Sequence, residues 1–72
     1  MDEKAMYMFV KIRLLENKMS ETKCALMIDV NQQNFNSRLR RGTLRAQEFV
    51  NLMNAMGYRV YAEKGSEKIE VK

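Results

Sequence analysis

Amide and guanidinium side chains are concentrated between Asn31 and Arg45. The segment begins with Asn31-Gln32-Gln33-Asn34 and continues with four arginines, Arg38, Arg40, Arg41 and Arg45. Asn and Gln can bind adenine through two hydrogen bonds, and Arg can bind guanine in the same way. Arginine also neutralises phosphate groups. These residue types therefore favour recognition of a nucleic acid.

The positive charge of the chain is concentrated in the same segment. The formal net charge is +4, and no acidic residue lies between Val30 and Gln47, where the four arginines are found. A localised cationic surface is typical of a protein that binds a polyanion. An arginine cluster that only improves solubility is the alternative interpretation.

The pattern of capping residues predicts two short helices that would carry these side chains. Ser20 is a favourable N-cap for a helix over Glu21–Ile28, and Asn31 is a favourable N-cap for a second helix. The second helix is predicted over Gln32–Arg41, and Gly42 can end it with a positive φ. Between the helices, Asp29 can adopt the left-handed conformation that a tight turn requires.

The second helix is predicted to have one buried side and one open side. Phe35 and Leu39 are four residues apart, so they point inward together. Gln33, Ser37 and Arg40 point away from them. A helix that buries two residues and presents amides and arginines suits a DNA major groove. An ordinary solvated helix face is the alternative.

The apolar residues of this segment resemble a known pattern. Ala25, Asp29-Val30, Phe35 and Leu39 lie at the places of the Ala, Gly-Val, Ile/Leu and Leu of the helix-turn-helix in the lambda-repressor-like and Cro-like family. The resemblance covers roughly residues 6–58. It departs at Asp29, where the family has Gly.

A second departure concerns a phosphate contact. The family often has a phosphate-binding Gln at the start of the first helix of the motif, and this chain has Glu21, whose charge would repel a phosphate. The run Asn31-Gln32-Gln33-Asn34 is similar to the start of the family's recognition helices.

The resemblance implies a fold and a function for the whole chain, residues 1–72. The fold would be mostly α, a compact four-helix domain with a C-terminal β-hairpin, and the motif would span about residues 20–41. The function would be that of a sequence-specific transcriptional regulator, repressor-like, from a phage or mobile element. The expected base contacts are Gln32, Gln33, Asn36 and Ser37. The expected phosphate contacts are Asn31, Arg40, Arg41 and Arg45.

Two further helices are predicted from apolar spacing. The first would span about Lys4–Asn17, and the fourth about Ala46–Met56. In the first, the predicted buried stripe consists of Met6, Phe9, Val10, Leu14 and Leu15. Three more apolar or aromatic side chains widen this stripe beyond what a small core can bury: Tyr7, Met8 and Ile12. In the fourth, Phe49, Leu52, Met53 and Met56 would face inward, and Glu48, Asn51 and Asn54 would face water.

Leu26 and Met27 stand out because the family usually has exposed, charged residues at these positions. An adjacent apolar pair can mark a contact surface. We therefore expect that one of them contacts a partner or a second subunit. Burial against the first helix or the C-terminal tail is the alternative.

The last fifteen residues change to a period of two, which predicts a β-hairpin over about residues 58–72 with a turn at Lys64-Gly65-Ser66-Glu67. A two-stranded hairpin is marginally stable alone, so it must pack on the helices or pair with another chain. Cro-like proteins dimerise through a C-terminal strand, and the resemblance therefore implies a homodimer. A hairpin that only covers the helical core is the alternative.

Composition argues against most other classes of function. The chain has no histidine, which removes His-based acid–base chemistry and the usual zinc sites. The single cysteine, Cys24, excludes an internal disulfide framework and occupies an apolar position typical of a core residue. No apolar run is long enough to span a membrane. We expect a cytoplasmic protein that is not an enzyme and needs no cofactor. The alternative is an antitoxin-like or adaptor module that binds protein and not DNA.

Overall fold

Residues 2–72 are described by a computed structural model, which contains four helices followed by a two-stranded antiparallel hairpin. The elements are α1 (Glu3–Glu16), α2 (Glu21–Met27), α3 (Gln32–Arg41), α4 (Ala46–Ala55), β1 (Val60–Lys64) and β2 (Glu67–Val71). The predicted mostly helical domain with a C-terminal hairpin is confirmed at this level. Each predicted helix end lies within one residue of the observed one.

Side-chain caps set the starts of the first three helices. The side chains of Asp2, Ser20 and Asn31 each accept a hydrogen bond from a backbone N–H three residues further on. These bonds satisfy N–H groups that have no partner within the helix. The two predicted caps, Ser20 and Asn31, are confirmed.

The core is formed where the four helices meet. Phe35 and Leu39 are fully buried, as predicted, together with Ala25 from α2. The remaining members of the buried cluster are Val10, Leu14, Cys24, Leu44, Leu52 and Met53. Since each large apolar side chain contributes roughly 1.5–3 kcal/mol when it is buried, this cluster holds α3 against the other helices.

The turn between α2 and α3 also follows the prediction. Asp29 has a φ of 56°, in the left-handed region. The backbone N–H of Val30 donates to the carbonyl of Ala25 at 3.0 Å, and Val30 packs against the core. A second left-handed residue, Lys18 (φ 54°), lies between α1 and α2 and was not predicted.

α1 has an exposed apolar side as well as a buried one, and the sequence predicted only part of this division. Val10 and Leu14 are buried, but Leu15 is 70% exposed, so its predicted place in the buried stripe is wrong. Met8 and Ile12 are also exposed. The core is small, and the inward side of α1 already fills the space available.

α4 differs from the prediction at two positions. Glu48, expected to face water, is half-buried and holds an arginine of α3. Val50 is buried although it was not assigned to the inward face.

The hairpin projects from the helices and does not cover their core beyond its first residue. Val60 packs against the core, whereas every residue of β2 is exposed. The strands are joined at Gly65, whose φ of 60° suits the first central position of a type II′ turn. The hairpin therefore covers only an edge of the helical core and leaves β2 exposed. None of the helices in residues 2–72 has the length and apolarity that a membrane crossing needs.

Candidate nucleic-acid interface

α3 is fixed at both ends. At its start, Asn31 Oδ1 accepts a hydrogen bond from the backbone N–H of Asn34 at 3.0 Å. At its end, Gly42 has the predicted positive φ of 68° and lies directly against the backbone of Glu3 at the start of α1. A Cβ at position 42 would lie 2.5 Å from Glu3 Cα. The close contact that Gly42 permits therefore sets the distance between α3 and α1.

The outward side of α3 is open to solvent. Gln33, Ser37, Arg40 and Arg41 are all exposed, while Phe35 and Leu39 are buried on the opposite side. The Nε of Arg41 donates to the carbonyl of Ser37 at 3.3 Å, so this side chain lies back along the helix. The side that the sequence assigned to DNA is thus accessible to a duplex.

Two of the predicted base contacts lie on the flank of α3, away from its outermost line. Gln32 Nε2 donates to Thr22 Oγ1 of α2 at 2.6 Å. Asn36 is half-buried, and its Oδ1 is enclosed without a hydrogen-bond partner. Gln33 and Ser37 are exposed on the outer side of α3, whereas Gln32 is held by Thr22, a contact that was not predicted.

One arginine of the cationic segment is bound within the domain. Arg38 forms an ion pair with Glu48 of α4, and both side chains are largely buried. The other oxygen of Glu48 accepts the backbone N–H of Arg45 at 3.1 Å. Arg40, Arg41 and Arg45 remain exposed and are the arginines of this segment available to a polyanion.

A groove of about 440 Å³ extends the cationic surface onto α1. It lies between the start of α1 and the end of α3, and its lining includes the acidic Glu3 as well as Lys4, Tyr7, Arg40 and Arg41, so cations outnumber acids there. Lys4 and Tyr7 were not predicted to belong to the site, because only the packing of α1 against α3 brings them beside the arginines. A positively charged groove of this kind can hold phosphate oxygens.

The charge of Glu21 is offset by a neighbour on α1. Lys11 Nζ lies 2.7 Å from Glu21 Oε2. The hydrogen bond from Lys11 to Glu21, with the attraction between their charges, raises the pKa of Lys11, and Arg40 is near enough to oppose this rise. The start of α2 therefore presents an ion pair and not an isolated carboxylate.

Cys24 is a core residue, as predicted. Its side chain is fully buried, and burial raises the pKa of the thiol. A neutral, inaccessible thiol is a poor nucleophile. Within residues 2–72 no cluster of three potential metal ligands occurs.

In comparisons with known proteins, no protein-family model, no curated protein and no solved structure matches this chain.

Proposed function

We propose that the protein is a sequence-specific DNA-binding regulator built on a lambda-repressor-like helix-turn-helix. The observation that carries the proposal is the two-sided character of α3. Phe35 and Leu39 anchor the helix in the core, and Gln33, Ser37 and Arg40 are left exposed. A rigid helix with amides and guanidinium groups outward fits the width and chemistry of a major groove.

The proposed roles follow from position and chemistry. Gln33 and Ser37 read base edges from the outer line of α3. Gln32 reads a base with its carbonyl oxygen and its second amide N–H, since one N–H of its amide nitrogen bonds Thr22. Asn36, on the flank of α3, contacts a base edge next to those that Gln33 and Ser37 read. Such contacts specify sequence, whereas phosphate contacts fix register.

The phosphate contacts come from the cationic residues around α3. Arg40, Arg41 and Arg45 are exposed, and Lys4 shares the groove with the first two. Asn31 contributes its amide N–H groups, because its oxygen caps α3. These groups attract DNA of any sequence.

The regulator acts as a cytoplasmic homodimer. Two copies bind half-sites about one helical turn apart, ~34 Å. Occupation of a promoter represses transcription, so the function needs no catalysis and no cofactor. Exposed apolar side chains on α1 supply a surface for dimer formation.

Selection from random duplex DNA tests the proposal. The intact chain should enrich one short sequence with two related halves. Gln33→Ala should lower discrimination at one base pair by ~1–3 kcal/mol and leave the other positions unchanged. Failure to enrich any sequence, by a chain that is folded by circular dichroism, would reject sequence-specific binding.

The second candidate is a protein-interaction module on the same fold. Leu26 and Met27 favour it, since both are exposed, and the alternative in which they are buried is wrong. A gel-shift assay with bulk duplex DNA at low salt separates the candidates. A DNA-binding chain must register there through its cations, whereas an interaction module need not.

A further inference from the structure

α1 carries a second apolar stripe on the side that faces away from the core. Ala5, Met8, Ile12 and Leu15 are all exposed, and Leu15 is exposed by 70%. Their spacings of three, four and three residues place them in one line along the helix. Contiguous exposed apolar side chains mark a contact surface, whereas scattered ones do not.

The spacing is that of the a and d positions of a heptad repeat. Ala5 and Ile12 take the a positions, and Met8 and Leu15 take the d positions. Ile at a with Leu at d favours two parallel helices. Two heptads are too few for an independent coiled coil. Here α1 is already helical in the folded domain, so association carries no additional free-energy cost of helix formation.

The charges beside the stripe select the orientation of a partner helix. Lys4 and Lys11 lie on one flank, and Glu16 lies on the other. In a parallel pair, the position of Lys11 faces the position five residues further along the other helix, which is Glu16. An antiparallel pair would instead bring the two lysine flanks together.

Both charged groups keep the capacity for this contact. Lys11 is 39% exposed in its side chain and bonds Glu21 with one of its three N–H groups. Glu16 is 56% exposed, and one of its oxygens, Oε1, lies near Arg13. Each can therefore accept an additional partner from another chain.

We propose that α1 binds α1 of a second copy of this chain, in parallel, through Met8, Ile12 and Leu15, with Lys11 of each copy paired with Glu16 of the other. This inference names the contact of the homodimer proposed above. It concerns self-association alone, so it does not depend on DNA binding.

Sedimentation equilibrium of the intact chain without DNA tests the contact. The wild-type chain should dimerise, and Leu15→Glu should weaken the dimer about tenfold or more. Leu26→Glu is the matched comparison, because Leu26 is also apolar, on a helix and 75% exposed, and because the sequence made it the rival candidate for a contact with a second subunit. It should leave the dimer unchanged, as should Ile69→Glu in the hairpin.

Cross-linking tests the parallel orientation. In a parallel pair with two-fold symmetry each d position meets its own copy, so Met8→Cys and Leu15→Cys should each form a disulfide between chains on mild oxidation. Leu26→Cys should not. The natural Cys24 is buried and stays reduced in all of these variants.

Four results would overturn the proposal: a wild-type chain that stays monomeric at all concentrations, a dimer that survives Leu15→Glu, a dimer that is lost with Leu26→Glu or Ile69→Glu, or cross-linking of Leu26→Cys as fast as that of Leu15→Cys. A DNA-binding defect with normal self-association would count against the proposed function and leave this contact standing.

Discussion

Thr22 on α2 and Gln32 at the start of α3 are joined by a hydrogen bond of 2.6 Å, from Gln32 Nε2 to Thr22 Oγ1. The bond fixes the rotation of the Gln32 amide and leaves its carbonyl oxygen and the second N–H of Nε2 free. In the proposed complex, the oxygen can accept from an amino group of adenine or cytosine, and the N–H can donate to a purine N7. Thr22 thereby sets the orientation in which the Gln32 amide would meet a base.

Thr22→Val tests this arrangement, because valine has the shape of threonine without the hydroxyl. We expect discrimination at one base pair to fall by ~1 kcal/mol while affinity for bulk DNA stays the same. Titration of the selected site and its single-base variants measures the effect. Gln32→Ala should act at the same base pair, and the double variant should lose little more than Gln32→Ala alone. Equal losses at every base pair would contradict the assignment.

Gly42 is predicted to be the least replaceable of the glycines in residues 2–72. Alanine in the left-handed conformation costs about 1–2 kcal/mol, which Gly65→Ala should show, since open space surrounds Gly65. Gly42→Ala should cost roughly 1–3 kcal/mol more, because its Cβ would overlap the backbone of Glu3. Urea unfolding of the two variants measures the difference. Equal losses would mean that α1 moves aside without penalty.

Arg38 is predicted to stabilise the fold without contacting DNA, because Glu48 holds it. Arg38→Gln should lower the free energy of unfolding by about 1–3 kcal/mol. The salt dependence of DNA binding should stay unchanged. Arg45→Gln is the control, because Arg45 is exposed, and it should show the reverse pattern. A reduced salt dependence in Arg38→Gln would place Arg38 on the DNA.

Alkaline pH should destabilise the fold through two groups whose pKa is raised in the folded state. Contact with Glu21 raises the pKa of Lys11 above its ordinary 10.5, and burial raises the pKa of Cys24 above its ordinary 9.0. The folded state therefore binds both protons more tightly than the unfolded chain. This stability is complete below pH 9 and is lost as pH rises through the folded pKa values.

Unfolding in urea between pH 6 and pH 11 measures the loss. Cys24→Ala should remove the component that begins near pH 9 and leave the component above pH 10.5. A wild-type curve that falls between pH 6 and pH 8 would contradict both assignments.

The parts of the fold that could be predicted from the sequence are those that depend on residues close together along the chain. The caps at Ser20 and Asn31, the turn at Asp29 and the pair Phe35 and Leu39 follow from local hydrogen bonding and helical spacing. The ion pairs Lys11–Glu21 and Arg38–Glu48 join residues ten positions apart on different helices. No local rule relates such residues, because helix packing brings them together.

The error at Leu15 has a related cause. A helix with apolar residues on two sides gives no sign of which side the core will take, because both sides satisfy the helical period. Val10 and Leu14 are buried because α3 and α4 complete the core there. The side with Leu15 is left exposed.

The dependence of DNA affinity on salt tests the central claim most directly. Titrations of bulk duplex DNA at several salt concentrations should compare the wild type with Arg41→Gln and with Arg59→Gln, an exposed arginine outside α3. We predict tight binding at low salt, a slope of log K against log[salt] that is smaller by about 0.9 in Arg41→Gln, and no change in Arg59→Gln. No binding at low salt, or equal slopes for all three proteins, would contradict the account that the outer side of α3 binds DNA.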